Sequence, residues 1–252
     1  MITLTIDGPV AVATMCLPPV NAINDKWVER FDQVLAEVEH AAEVSVLWIR
    51  SAQKVFCAGA DLAFMHGILD SAAGRARMID LTRRMQQVFA RLEALPKVTL
   101  AEIGGAAMGG GFELALACDM RIVADSAKIG LPEASLGLLP AGGGTQRMTR
   151  ICGEAIARRL ILGAELVVGS DAVALGLAQW HAPAASLEAT ARATVERIAA
   201  LPSRAIAECK ACINVALDGS AKGYETELAG SAALLALPET QDRVARFLEG
   251  QR

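Results

Sequence analysis

The chain has 252 residues, of which 53% are hydrophobic and 21% charged, enough for a large packed core and unlike a disordered or low-complexity chain. Twenty-four Lys and Arg face 28 Asp and Glu, a formal charge of −4, so neither a nucleic acid nor an anionic membrane is an expected partner. Aromatic residues make up only 4%, with one Tyr, which leaves little for recognition by aromatic stacking.

No run of about eighteen apolar residues occurs; the longest uncharged stretch, Gly8 to Asn24, contains three prolines and two asparagines. The N-terminus opens directly as an alternating strand, without the basic start and apolar core of a signal peptide. The six cysteines lie in apolar segments of a chain too large to need staples, so they read as reduced, mostly buried side chains in a cytoplasmic protein. Cys209 and Cys212 have the spacing of a zinc or thiol-exchange pair, but no second pair follows. With Ile206 and Ile213 they read instead as one packed helix face.

Taken in order, Ile2, Leu4 and Ile6 alternate, and Pro9 to Met15 returns as a second strand after the Asp7-Gly8 turn. Asn24 is placed to cap a helix whose apolar face is Trp27, Phe31, Val34, Leu35 and Val38. Ser45 to Arg50 is a short buried strand. A second amphipathic helix uses Leu81, Met85, Val88, Phe89 and Leu92, and Pro96 stops it. Val98 to Ile103 is a strand, followed by a glycine-rich turn and a helix, then by short strands over Arg121–Ala124 and Ala127–Ile129. Beyond Gly144 the patterns are helical: 154–162, 170–175, 186–200, 203–217, 222–237 and 240–249, with only 178–182 as a strand. The pattern predicts an α/β core over 1–195 and a helical segment over 196–252.

Three segments are compositionally unusual. In Phe56-Cys57-Ala58-Gly59-Ala60-Asp61-Leu62 small residues follow a strand, which suits either a plain turn or close approach of a ligand to free N–H groups. In Gly104 to Leu114 three consecutive glycines, Gly109 to Gly111, open a helix with Glu113 in its first turn. The spacing fits neither a dinucleotide fingerprint nor a phosphate-binding P-loop, and a carboxylate at that position also suits the helix dipole. In Leu131 to Arg147, Glu133 follows a proline in apolar surroundings, either as a solvated loop residue or as a desolvated acid with a raised pKa.

Together these segments resemble the crotonase family, the enoyl-CoA hydratase/isomerase superfamily. The resemblance runs from Pro18-Pro19-Val20-Asn21-Ala22-Ile23 through FCAGADL, GGAAMGGGFELALACD and KIGLPEASLGLLPAGGGTQR to Phe247-Leu248-Glu249, in matching order and spacing. It implies a spiral of ββα units followed by helices that carry a homotrimer or homohexamer. It also implies that the N–H groups of Ala60 and Gly110 form an oxyanion hole for a thioester oxygen. Ala58, Ala60, Asp61, Leu62 and Gly110 correspond to the substrate-binding positions. Glu113 and Glu133 match the two glutamates of members that hydrate enoyl thioesters, Glu113 polarising the water and Glu133 delivering a proton to Cα. Members that only shift a double bond commonly keep the acid matching Glu133 and lose the other. The implied function is reversible hydration of a 2-enoyl-CoA to a 3-hydroxyacyl-CoA, with coenzyme A as part of the substrate and no metal or redox cofactor.

Asp61 and Asp119 read as turn- and helix-ending residues that bond to backbone. Ala63 to Met78, including His66, falls where the family has a variable acyl-pocket wall. Leu17 stands where many relatives have Arg, Ala63 where some have Lys, and Ala141 where glycine is usual. The contacts to the phosphates of coenzyme A are therefore open, with Lys26, Lys54 and the C-terminal arginines as candidates. Rival readings are a Δ3–Δ2 enoyl-CoA isomerase, another enolate reaction on an acyl-CoA, a catalytically silent subunit and, most remotely, an RNA-binding homologue, which the charge balance opposes.

Overall fold

The computed structural model describes residues 1–217 and 222–249. The alternating N-terminus closes a hairpin in which β1 (Ile2–Asp7) and β2 (Val10–Met15) pair antiparallel. Ala11, Ala13 and Met15 turn inward, as a period of two requires. Asn24 caps α1 (Asp25–His40) by accepting from the Trp27 N–H at 3.0 Å. The buried face of α1 is Trp27, Val28, Phe31, Val34, Leu35 and Val38, and the Trp27 and Phe31 rings stack 5.0 Å apart.

The strand β3 (Val46–Ser51) joins β2 in parallel. Two helices follow, α2 (Leu62–Ile68) and the long α3 (Ala72–Ala94). Ser71 caps α3 through the Gly74 N–H at 2.9 Å, so α3 begins well before the apolar run at Leu81. The helix pairs with α1. The next strand, β4 (Val98–Ile103), is buried along its whole length, as a central parallel strand must be.

From here the chain alternates between two sheets. The short β5 (Ala107–Met108) leads into α4 (Gly110–Leu116), β6 (Met120–Ala124) returns to the main sheet, and β7 (Ile129–Gly130) pairs with β5. A 3₁₀ turn (Pro132–Leu136), α5 (Gly144–Leu162, broken at Gly153), α6 (Gly169–Ala174), β8 (Trp180–Ala182) and α7 (Leu187–Ala199) follow. The main sheet has the order β1-β2-β3-β4-β6-β8 and is parallel after its first pair. The small sheet is widened by bridges from Cys57 to Ala107 and from Ile129 to Val167. This alternation gives the spiral, and the small sheet carries the turns that build the site.

The chain divides into two compact units, Met1–Ala199 and Ala200–Arg252, with α7 wholly in the first. The second holds α8 (Ser203–Leu217), α9 (Gly223–Leu235) and α10 (Pro238–Leu248). Among their described residues only Lys210 and Gly230 are buried. The expected packed face of Ile206, Cys209 and Ile213 is therefore corrected: Cys209 is exposed and Ile213 is 61% exposed. Three helices in so short a unit have too little partner surface to cover every apolar side. The expectation of mostly buried cysteines is corrected too, since only Cys57 and Cys118 are buried. No helix of the described residues is long and apolar enough to cross a membrane.

Candidate active site

The first wall of the site is a backbone turn held from one side. Residues 20–23 run beside 58–61: the Ala58 N–H donates to Val20 O (3.0 Å), Ile23 N–H to Gly59 O (2.8 Å) and Asp61 N–H to Ile23 O (3.1 Å). In this parallel pairing Ile23 faces Ala60, and extended backbone then turns the N–H of Ala60 itself to the opposite side. There it meets no acceptor among the described residues, and Ala60 lines a cavity of about 260 Å³. Asn21 pins this arrangement. Its backbone is left-handed (φ 52°), a conformation Asn adopts more readily than most residues. Its Oδ1 accepts from Leu17 N–H (2.8 Å), and its Nδ2 donates to Ser51 Oγ (2.8 Å) and Phe56 O (2.9 Å). Cys57 is an inert part of the same packing: it is fully buried, and desolvation pushes its thiol up to about 12.

The second turn lies against the first. The Met108 N–H donates to Cys57 O at 3.0 Å, and a Cβ on Gly59 would stand 3.1 Å from the Gly110 nitrogen. Gly109 has φ 50° and ψ −126°, which only glycine adopts without strain. A side chain there would also meet Glu133 Oε1 at 2.7 Å. Gly110 follows, its N–H likewise without an acceptor among the described residues, and it lines the same cavity.

Both glutamates open into that cavity. Glu113, in the first turn of α4, is 2% exposed, and its Oε1 accepts from the Gly144 N–H at 2.7 Å. Burial is the main cause that raises its carboxyl to about 7, with the Glu133 charge adding to the rise; the Gly144 and Gly142 N–H groups and Arg147 oppose it. Glu133 stands on the 3₁₀ turn with its Oε2 buried and without a partner among the described residues, and burial raises its pKa as well. Of the two readings left open by the sequence, the desolvated acid is the one found.

Glu113 fits because the facing loop has no side chains in its way. A Cβ on Gly142 would lie 2.6 Å from Glu113 Oε2, and one on Gly144 would lie 2.8 Å from Oε1. Two side chains fasten this loop. Gln86 donates from Nε2 to Ala141 O at 2.7 Å. Arg147, buried on α5, donates from its η1 nitrogen to Gly142 O (3.0 Å) and from Nε and its η2 nitrogen to Glu93 (3.1 and 3.0 Å).

The structure thus brings Ala58, Ala60, Leu62, Gly110, Glu113 and Glu133 to one cavity. Asp61 instead caps α2, accepting from the Phe64 N–H at 3.0 Å. Asp119, just past the end of α4, bonds to backbone as expected, but on β4: its carboxylate accepts from the N–H and hydroxyl of Thr99. His66 is exposed and, like Lys26 and Lys54, lies outside the cavity lining; of the C-terminal arginines, Arg252 lies outside the described residues. Cys209 and Cys212 belong to no group of three metal-ligating side chains among the described residues. The sequence left Asn21, Gln86 and Arg147 without roles. Asn21 and Arg147 fall inside the motif stretches, whereas nothing in a helical Gln marks Gln86.

Two unpaired N–H groups beside two carboxyls of raised pKa can hold an oxyanion and a water and can move protons between them. Residues 5–250 match the family model described as enoyl-CoA hydratase/isomerase. A short-chain-enoyl-CoA hydratase of Clostridium acetobutylicum is 32% identical over 98% of this chain and 94% of its own. A probable enoyl-CoA hydratase of Bacillus subtilis is 42% identical over 70% of this chain and 67% of its own. The crystal structure of an enoyl-CoA hydratase from Bacillus anthracis superposes with a TM-score of 0.93 at 27% identity, covering 99% of this chain and 96% of that one. With this match along almost its whole length, on a crotonase fold, the chain belongs to the enoyl-CoA hydratase/isomerase family.

Proposed function

We propose that the protein adds water reversibly to a 2-enoyl-CoA thioester. The observation that carries this reading is the shared cavity of Glu113 and Glu133, both with raised pKa values, beside the N–H groups of Ala60 and Gly110. The family's relatives named enoyl-CoA hydratase support the acyl-CoA substrate class. In this scheme the thioester oxygen accepts from the two N–H groups, which withdraws electrons from the Cα–Cβ double bond. A water between the carboxyls gives its proton to the Glu113 carboxylate as its oxygen bonds to Cβ. The negative charge passes to the thioester oxygen as an enolate, where preorganised donors stabilise it. The enolate then takes a proton at Cα from the Glu133 carboxylic acid. One water has been added, and proton exchange with solvent resets the two acids. The scheme uses no metal and no redox step, and coenzyme A enters with the substrate.

Glu113→Gln and Glu133→Gln test it. Each swap keeps the shape and removes a proton carrier, a contribution of about 10²–10⁴ in rate. Both variants are expected to lose hydration of crotonyl-CoA while still binding acyl-CoA. Full hydration by Glu113→Gln rejects the two-carboxyl scheme. Double-bond migration that survives Glu113→Gln but not Glu133→Gln assigns an isomerase instead.

The helices after Ala199 are proposed to carry a homotrimer or homohexamer. Leu228 and Leu235 on α9 are 73% and 65% exposed, apolar area that an assembly would cover. Light scattering is expected to give a mass of three or six subunits; an active monomer contradicts it.

A further inference from the structure

Beyond the reacting atoms, the cavity has a wall of one chemical kind. Met78, Leu81, Thr82 and Met85 follow one another at i, i+3, i+4 and i+7 and all line it, so a single face of α3 forms the wall. The face starts at the oxyanion end: the Met85 methyl carbon is 3.1 Å from where a Cβ on Gly110 would stand. Seven residues farther along, at Met78, the wall has advanced about 10 Å from there. Met65 on α2 and Leu136, Leu138 and Leu139 complete the apolar lining.

Apart from Glu113 and Glu133, no lining side chain among the described residues carries a charge. The one hydroxyl, on Thr82, donates to Met78 O at 2.9 Å and is spent on its own helix. The neighbouring cations are engaged elsewhere: Arg77 lies over the Phe64 ring and pairs with Asp25, and Arg84 pairs with Asp25 and Asp80. A tail ending in a carboxylate along this wall would be partly desolvated, with no lining cation among the described residues to pair with it. An alkyl tail loses nothing polar, and unbranched methionines adapt to its shape.

We infer that this wall selects an alkyl tail of medium length and rejects acyl groups that end in a carboxylate. A zigzag of bonds about 1.5 Å long advances about 1.25 Å per carbon, so a wall about 10 Å long accommodates roughly eight carbons beyond the oxyanion end. The substrates favoured are thus 2-enoyl-CoA thioesters of about eight to ten carbons. This inference rests on the acyl-CoA reading of the cavity.

The test is calorimetric binding of saturated acyl-CoAs from butyryl to dodecanoyl to the full-length protein, which needs no turnover. Kd is expected to fall about fourfold per added methylene up to roughly ten carbons and then to level off. An acyl-CoA of matching length with a terminal carboxylate is expected to bind at least tenfold more weakly than its alkyl counterpart. Met78→Lys, at a half-buried position that tolerates a long side chain, is expected to reverse that preference. A Kd independent of chain length, or equal binding of the carboxylate-ended tail, overturns the inference. With crotonyl-CoA still hydrated, such a result leaves the hydratase reading standing; failure of every acyl-CoA to bind removes both.

Discussion

Two loops of small residues meet at this site, and they are small for different reasons. In the loop after Cys57 the segment 20–23 consumes the N–H groups of Ala58 and Asp61 and leaves that of Ala60 facing the cavity. In the loop from Pro140 to Gly144 the missing side chains make room for the Glu113 carboxylate. The first loop supplies a donor and the second a space. Composition cannot separate these uses, because both appear as runs of Ala and Gly.

Substitutions can break that distinction. Ala60→Pro removes the donor itself and is expected to lower hydratase turnover by about 10²–10³-fold, with circular dichroism and acyl-CoA binding preserved. Unchanged turnover in a folded variant places the donor elsewhere. Gly142→Ala puts a methyl 2.6 Å from Glu113 Oε2. The carboxyl must then move, and a displacement of that order is expected to cost about 10²-fold in kcat. A Gly142→Ala enzyme with normal kcat means that the loop yields and the space is not needed.

Arg147→Gln tests the fastening of the second loop. It releases Gly142 O and takes one cation from Glu93, and it removes a cation that holds the Glu113 pKa down. The expected result is a kcat about tenfold lower, from a carboxyl less well held, with the acid limb of the pH–rate profile moved upward. Arg147→Lys is expected to restore the limb in part. A loss of stability with an unmoved limb makes Arg147 purely structural.

The pH dependence of stability is a quieter test. Glu113 titrates near 7 in the folded chain and near 4.3 when unfolded, so between these values the folded state holds more protons. Stability therefore falls as pH rises across that window, by up to a few kcal/mol. Glu113→Gln is expected to flatten this slope and to raise the melting temperature at pH 8 relative to the parent chain. In the hydration direction the parent's kcat/KM is expected to fall about tenfold per pH unit below about 7, because Glu113 must be ionised to accept the water's proton. A control away from both loops is Asn24→Ala, which removes the α1 cap and is expected to cost about 1 kcal/mol with kcat unchanged.

Much of the fold was legible because helix and strand periods are local. The faces of α1 and α3 follow from spacing alone, and the strand expected over Val98 to Ile103 is β4. The same periodicity said nothing about coverage, so the apolar side of α8 was read as packed when Ile213 is open. At the site, Ala60, Gly110, Glu113 and Glu133 were marked by motifs, whose order along the chain survives without any knowledge of distance. The sequence by itself determined the family and the order of the long helices and main-sheet strands, and it marked these four positions; the short α2 and β5 escape it.

Only the tertiary structure decided what the positions can do. The N–H of Ala60 is free because its neighbours bond to residues some forty positions earlier in the chain. Glu133 is a desolvated acid because its Oε2 is buried without a partner among the described residues. Glu113 rises to about 7 through burial, against a loop that Gln86 and Arg147 hold from two different helices. Hydrogen-bond direction, desolvation and close approach depend on which atoms meet, and here the groups that meet lie tens of residues apart in the chain.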